Sequence, residues 1–244
     1  MAAGGAPVSQ NGLVRRIVTF GFAFAVLAAL LLVGNVVPVL GSPSRSSEPE
    51  AAQQAPAAVP LRVAVVGDSL SAGRSRFLGN GLDDESWMTY ADGAGIEFAG
   101  GWARSGARPD QMAAGVRPIV DVDVLVILAG TNAVRTGKTM AEEAMYYERI
   151  VSTVDAKTVL VSSIPPYRAH AAAALAYNEA LRAFTEEHGW TWVDPWTVAR
   201  DGDDWAEGFS TDGMHPAGPA QYAVLGQSFR RIILATRVLP SALR

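Results

Sequence analysis

The sequence predicts an α/β fold built on a parallel sheet, and two observations carry that prediction. Short apolar, β-branched runs recur at Leu61 to Val66, Val122 to Leu128, Thr158 to Val161 and Thr191 to Val193. Such runs suit strands buried on both faces. Between them lie longer stretches with apolar residues at helical spacing. Strand alternating with helix is the signature of a parallel sheet covered by helices.

Taken in order, the chain opens with a segment of another kind. From Ile17 to Gly34 no residue is charged, and the apolar character continues to Leu40, enough to cross a bilayer. Arg15 and Arg16 precede this run. The positive-inside rule therefore places residues 1–16 in the cytoplasm, makes 17–40 a single-pass signal anchor, and puts the remainder outside the cell membrane. A cleaved signal peptide ending near Val39-Leu40-Gly41 is the rival reading, in which the domain is secreted. The run exceeds the roughly 7–15 residues of a usual signal core, which favours the anchor. The arginine pair alone does not establish a twin-arginine signal.

Residues 41–60 are rich in Ser, Pro, Ala and Gln, without the large apolar side chains a core needs, and read as a flexible linker. The domain proper spans 61–244. Its first strand is Leu61 to Val66, interrupted only by Arg62; Ile96 to Phe98 is a weaker strand candidate. Helices are expected over Ala141 to Val154 and over Ala171 to His188, the latter with Tyr177, Leu181 and Phe184 on one face. The last helix runs from Pro219 to Leu239, striped by Tyr222, Leu225, Phe229 and Ile232/Ile233, with Pro219 suited to its first turn.

Composition narrows the function. The chain has no cysteine, which excludes disulfides, thiolate metal sites and a cysteine nucleophile. The formal charge is −4, and no basic stripe interleaves with aromatics, so nucleic acid is not an expected partner. The histidines, His170, His188 and His215, lack the close ligand spacings of a zinc site, and no metal or cofactor is expected.

Three blocks carry chemistry: Gly67-Asp68-Ser69-Leu70, Gly130-Thr131-Asn132 and Asp212-Gly213-Met214-His215-Pro216. Ser69 follows the first strand and Asn132 follows Val122 to Leu128. In a parallel sheet, working groups gather at the carboxyl edge of the strands, so the two should converge. A serine hydroxyl needs a neighbouring base to act as a nucleophile. His188 precedes Gly189 at a helix end, where it suits the helix dipole, and His170 lies in a Pro-Pro-Tyr-Arg-Ala-His connection. His215 remains as the base. Asp212, three residues earlier in a bent loop, can orient its imidazole, although a plain Asp-Gly turn is the alternative. Oxyanion donors are expected from the Ser69 N–H and the Asn132 amide. The Gly100 to Gly106 segment either supplies a third donor or is an ordinary turn.

With these blocks in place, the chain resembles the SGNH hydrolase superfamily, the GDSL esterases and lipases, over roughly Leu61 to Leu239. The resemblance implies a flavodoxin-like three-layer sandwich, Ser69 as nucleophile and first oxyanion donor, Asn132 as side-chain donor, and the Asp212–His215 pair. Gly106 is taken as the second-block donor. Two positions depart from the family pattern. Ala133 stands where an aspartate usually closes the third block, and Gly101 where an asparagine usually opens the second. No Gly-x-Ser-x-Gly elbow is present, which disfavours an ordinary α/β-hydrolase.

The expected function is hydrolysis of an O-acyl ester, with a cell-envelope glycan or lipid as the substrate that tethering suggests. An acyltransferase using the same triad and a non-catalytic glycan-binding or scaffold domain are the alternatives. A pure binder has no evident need for Ser69, Asn132, Asp212 and His215 together. Trp87, Trp102, Arg104, Arg108 and Met214 are candidates for the pocket wall, against packing or surface roles. The acidic run Asp201, Asp203, Asp204 and Glu207 reads as a solvated loop, with repulsion of anionic substrates as the alternative.

Overall fold

The computed structural model describes residues 58–75, 78 and 82–237. The expected segments 1–16 and 17–40, and most of the linker, lie outside the described residues. Among the described residues no helix is long and apolar enough to cross a membrane.

Five parallel strands form the sheet: β1 (Leu61–Gly67), β2 (Ile96–Ala103), β3 (Val124–Leu128), β4 (Thr158–Ser162) and β5 (Thr191–Val193), in the order β2-β1-β3-β4-β5. This is the doubly wound order of flavodoxin-like folds, whose direction of winding reverses between β1 and β3. Side chains of β1 alternate between two cores. Val63 and Val65 pack on one face with Trp87, Leu225 and Phe229; Ala64 and Val66 pack on the other with Met112, Tyr147 and Leu181. Both faces being covered explains why the strand sequences read as continuous apolar runs. The three-layer α/β architecture is therefore the one expected.

The helices of one layer are α2 (Trp87–Ala91) and α7 (Pro219–Ala235), which stack through Trp87 and Phe229 with ring centroids 4.0 Å apart. The other layer holds α3 (Pro109–Gly115), α5 (Met140–Val154) and α6 (Ala171–Glu187). A Thr139/Glu142 capping box opens α5, and a left-handed Asp155 closes it. Two short helices, α1 (Ser69–Ala72) and α4 (Thr131–Arg135), begin just after β1 and β3.

One expectation needs correction. The strand expected at Ile96 to Phe98 extends to Ala103, through Gly100-Gly101. The register against β1 steps from Val63↔Phe98 to Ala64↔Gly100, so Ala99 is the extra residue of a bulge. Glycine is required there: a Cβ on Gly101 would lie 1.9 Å from the Val65 carbonyl oxygen. Signals that read as a turn thus serve a close-packed edge strand. The acidic run is exposed, as expected of a solvated segment, and part of it forms a hairpin, β6 (Arg200–Asp201) with β7 (Asp204–Trp205), anchored by buried Trp205.

Candidate active site

Ser69 and Asn132 flank the point where the sheet reverses its winding, one past β1 and the other past β3. Strong local constraints put them there. Asp68 caps α1 by accepting the Leu70 N–H at 3.1 Å. Gly130 precedes α4 with φ of +122°, and a Cβ on it would lie 2.4 Å from the Tyr177 ring. Backbone conformation and packing both demand glycine at this position.

The last block folds as a unit. Asp212 Oδ1 accepts the N–H groups of Met214 and His215, each at 2.8 Å, and Oδ2 lies 2.7 Å from His215 Nδ1. Gly213, at φ +75°, packs against Arg168 and accepts its N–H through the carbonyl at 3.0 Å. These contacts aim the imidazole at the nucleophile, with Ser69 Oγ 2.8 Å from His215 Nε2. Since Asp212 takes the Nδ1 hydrogen, Nε2 is left to accept from the serine. Burial raises the Asp212 carboxyl, but hydrogen bonds from the His215 N–H, its ring and the Met214 N–H outweigh it and hold the group at about 2. The carboxylate is thus ionised wherever a cationic imidazole needs a counter-charge.

Asn132 is buried and fully engaged. Its Nδ2 donates to Asp68 Oδ2 at 3.3 Å and to the Ala107 carbonyl at 3.1 Å, while Oδ1 accepts from Arg135 Nε at 3.1 Å. Ala133, standing where the family carries an aspartate, is fully buried. The bracing of Asn132 comes instead from Asp68, Ala107 and Arg135. Gly106 sits in the turn after β2 with φ of +78°. Neither its N–H nor that of Ser69 has a protein acceptor among the described residues. The structure therefore joins Ser69, His215 and Asp212 by direct contact and places Asn132 in the first turn of α4 and Gly106 in the turn after β2, at the same sheet edge.

Asp68 is the residue that sequence reading underused. It is buried beside the nucleophile, and burial pushes its carboxyl up to about 6 against the Leu70 N–H, the His215 charge and the Asn132 amide. Its position inside the first block was the available signal. Two more groups line the cleft of about 290 Å³ that opens over Ser69 and His215, namely Glu85 and Tyr222. Tyr222 read only as part of a helix stripe, and Glu85 carried no signal. None of Trp87, Trp102, Arg104, Arg108 and Met214 lines this cleft. Trp87 is instead fully buried, its Nε1 donating to Ser71 Oγ at 2.9 Å. Arg104 lies over the Trp102 ring, and Arg108 pairs with Asp110.

The other histidines are structural. His188 closes α6, with Nδ1 2.8 Å from the Phe184 carbonyl and Nε2 3.1 Å from Glu148. His170 is exposed and packs on the Tyr167 ring. Among the described residues no cluster of His, Asp and Glu could hold a metal ion.

A doubly wound parallel sheet with a serine, a histidine and an aspartate in relay at its carboxyl edge defines a serine hydrolase scaffold. The profile of the GDSL-like lipase/acylhydrolase family matches residues 65–221, and the chain belongs to that family. It is accordingly a serine ester hydrolase. A comparison with curated proteins gives no significant match. Among solved structures, the chain resembles a member of the lipolytic protein G-D-S-L family from Veillonella parvula, at 18% identity and TM-score 0.54 over 72% of this chain and 99% of that one. It also resembles a GDSL-like lipase from Bacteroides thetaiotaomicron, at 18% identity and TM-score 0.52 over 72% and 88% of the two chains. A family 3 carbohydrate esterase from Clostridium thermocellum aligns at 16% identity and TM-score 0.53 over 73% and 98%.

Proposed function

We propose that this protein is a membrane-tethered, extracytoplasmic serine esterase that hydrolyses O-acyl esters through an acyl-Ser69 intermediate. The observation that carries this reading is the continuous relay from Ser69 to His215 at 2.8 Å and from His215 to Asp212 at 2.7 Å. Ser69 Oγ attacks the ester carbonyl carbon as its proton passes to His215 Nε2. The tetrahedral intermediate collapses, the carbon–oxygen bond to the alcohol breaks, and His215 returns the proton to the departing alcohol oxygen. Water then repeats the sequence on the acyl-serine, releasing the carboxylic acid.

The oxyanion is held by the free N–H groups of Ser69 and Gly106 and by the Asn132 amide, which exchanges its 3.3 Å contact with Asp68 for the developing charge. The uncharged run within residues 17–40 and the preceding arginines support the tether and the external location of the domain. The substrate in that setting is an acylated cell-envelope glycan or lipid. The likeness of fold to a carbohydrate esterase is in keeping with a glycan ester.

The test is hydrolysis of a short-chain chromogenic ester by the full chain and by Ser69→Ala. Turnover that vanishes in the folded variant supports the reading; turnover that persists refutes it. Protease accessibility of the domain on intact cells tests its location separately.

A further inference from the structure

The cleft over Ser69 carries two polar groups that the triad does not use. Tyr222 is 3% exposed, yet its hydroxyl has no hydrogen-bond partner among the described residues and is not sealed from solvent. The hydroxyl therefore opens onto the cleft, where a bound molecule can supply the partner that the protein does not. Burial raises the Tyr222 pKa, and the nearby carboxylates of Asp68, Glu85, Asp212 and Asp83 raise it further. The group therefore remains a hydrogen-bond donor at any physiological pH.

Glu85 lines the same cleft, and its placement is built rather than incidental. The Asp83 carboxylate accepts the N–H groups of Ser75 at 2.7 Å and Glu85 at 2.9 Å, tying the two ends of the loop together. It also fills the space beside Gly73, where a Cβ would lie 2.0 Å from Asp83 Oδ1. Arg74 Nε binds Glu85 Oε1 at 2.9 Å, leaving Oε2 without a protein partner among the described residues.

We propose that Tyr222 Oη and Glu85 Oε2 form a recognition edge for the alcohol portion of the ester, and that this alcohol is a neutral sugar carrying free hydroxyls beside the acylated one. This rests on the esterase reading above. A sugar hydroxyl accepts from the tyrosine and donates to the carboxylate, satisfying both groups at once. A cationic alcohol fits less well, because the tyrosine hydroxyl would direct its hydrogen at a positive charge; Arg74 is shared between Glu85 and Asp84, with Nη2 3.0 Å from Asp84 Oδ1. An alcohol without hydroxyls leaves both groups unpaired, and sites built to bind a hydroxyl discriminate against analogues that lack it.

The experiment compares kcat and KM of the full-length wild type, Tyr222→Phe and Glu85→Gln on three acetates. These are a mono-O-acetylated methyl xyloside, 4-nitrophenyl acetate, which has no hydroxyl on its leaving group, and acetylcholine, which is cationic. Each variant is expected to lower kcat/KM on the sugar ester about tenfold relative to the aryl ester, mainly through KM, with unchanged circular dichroism. Equal losses on the sugar and aryl esters overturn the proposal, as does full retention on the sugar ester. A loss in Glu85→Gln that is largest on acetylcholine assigns the edge to a cation and also overturns it. A wild type inert on all three esters overturns the esterase reading, and the proposal with it; activity on the aryl ester with unaltered variants overturns the proposal alone.

Discussion

The amide of Asn132 lies 3.3 Å from the carboxylate of Asp68, the residue immediately before the nucleophile. One donor of the proposed oxyanion site is therefore held, in the resting enzyme, by a buried acid that also caps the helix bearing Ser69. Replacing Asn132 with alanine removes the donor without opening a large void. The expected result is a fall in kcat of about 10²–10³-fold with native circular dichroism. Wild-type turnover in that variant removes Asn132 from the oxyanion site.

Asp68 also makes stability depend on pH in a direction opposite to that of a paired surface carboxylate. Its folded pKa of about 6 lies above the ordinary 3.8, so the native state holds the proton more tightly than the unfolded chain. The stabilisation from that proton is complete below about pH 4 and is lost as pH rises through 6, an effect on the order of 3 kcal/mol. Urea denaturation of wild type and Asp68→Asn checks this. The stability of the variant relative to wild type should increase from pH 4 to pH 7, and a difference independent of pH contradicts it.

The carboxylate of Asp212 fixes the imidazole tautomer and balances its charge. Asp212→Asn keeps the shape and loses both functions, and kcat is expected to fall about 10³–10⁴-fold, with far less change in KM. Steady-state kinetics on an aryl acetate reads the split directly.

Gly130 supports the site from behind. At φ of +122°, with the Tyr177 ring 2.4 Å from any added Cβ, alanine is strained by conformation and by contact. Gly130→Ala is expected to cost about 1–3 kcal/mol from the backbone alone and more from the clash. Because Gly130 caps the start of α4, kcat should fall as well, which a stable but displaced Asn132 would reveal. Chemical denaturation and single-substrate kinetics on one preparation measure both effects.

The sheet was legible because its strands are buried on both faces: runs such as Val124 to Leu128 leave little room for another reading. The triad was legible because Asp212 and His215 lie three residues apart and only three histidines compete for the role of base. The second half of β2 was hidden because glycines that permit a bulge look the same in sequence as glycines that make a turn. The bracing of Asn132 was hidden for a different reason. Arg135 is a near neighbour in the chain, but Asp68 and the Ala107 carbonyl reach Asn132 only through the pairing of β1 with β2 and β3. Tyr222 reads in sequence as one position of a helix stripe, and periodicity carries no information about where its hydroxyl points.

The contact between Ser69 and His215 spans 146 positions of sequence. Asp212 and His215 take their mutual geometry within one short loop, whereas the serine comes from the far side of the sequence, at the end of β1. A growing chain thus carries an unarmed nucleophile for most of its synthesis. A nucleophile and base so far apart in sequence meet only through the tertiary fold, so turnover reports that the long-range contacts of the domain are in place.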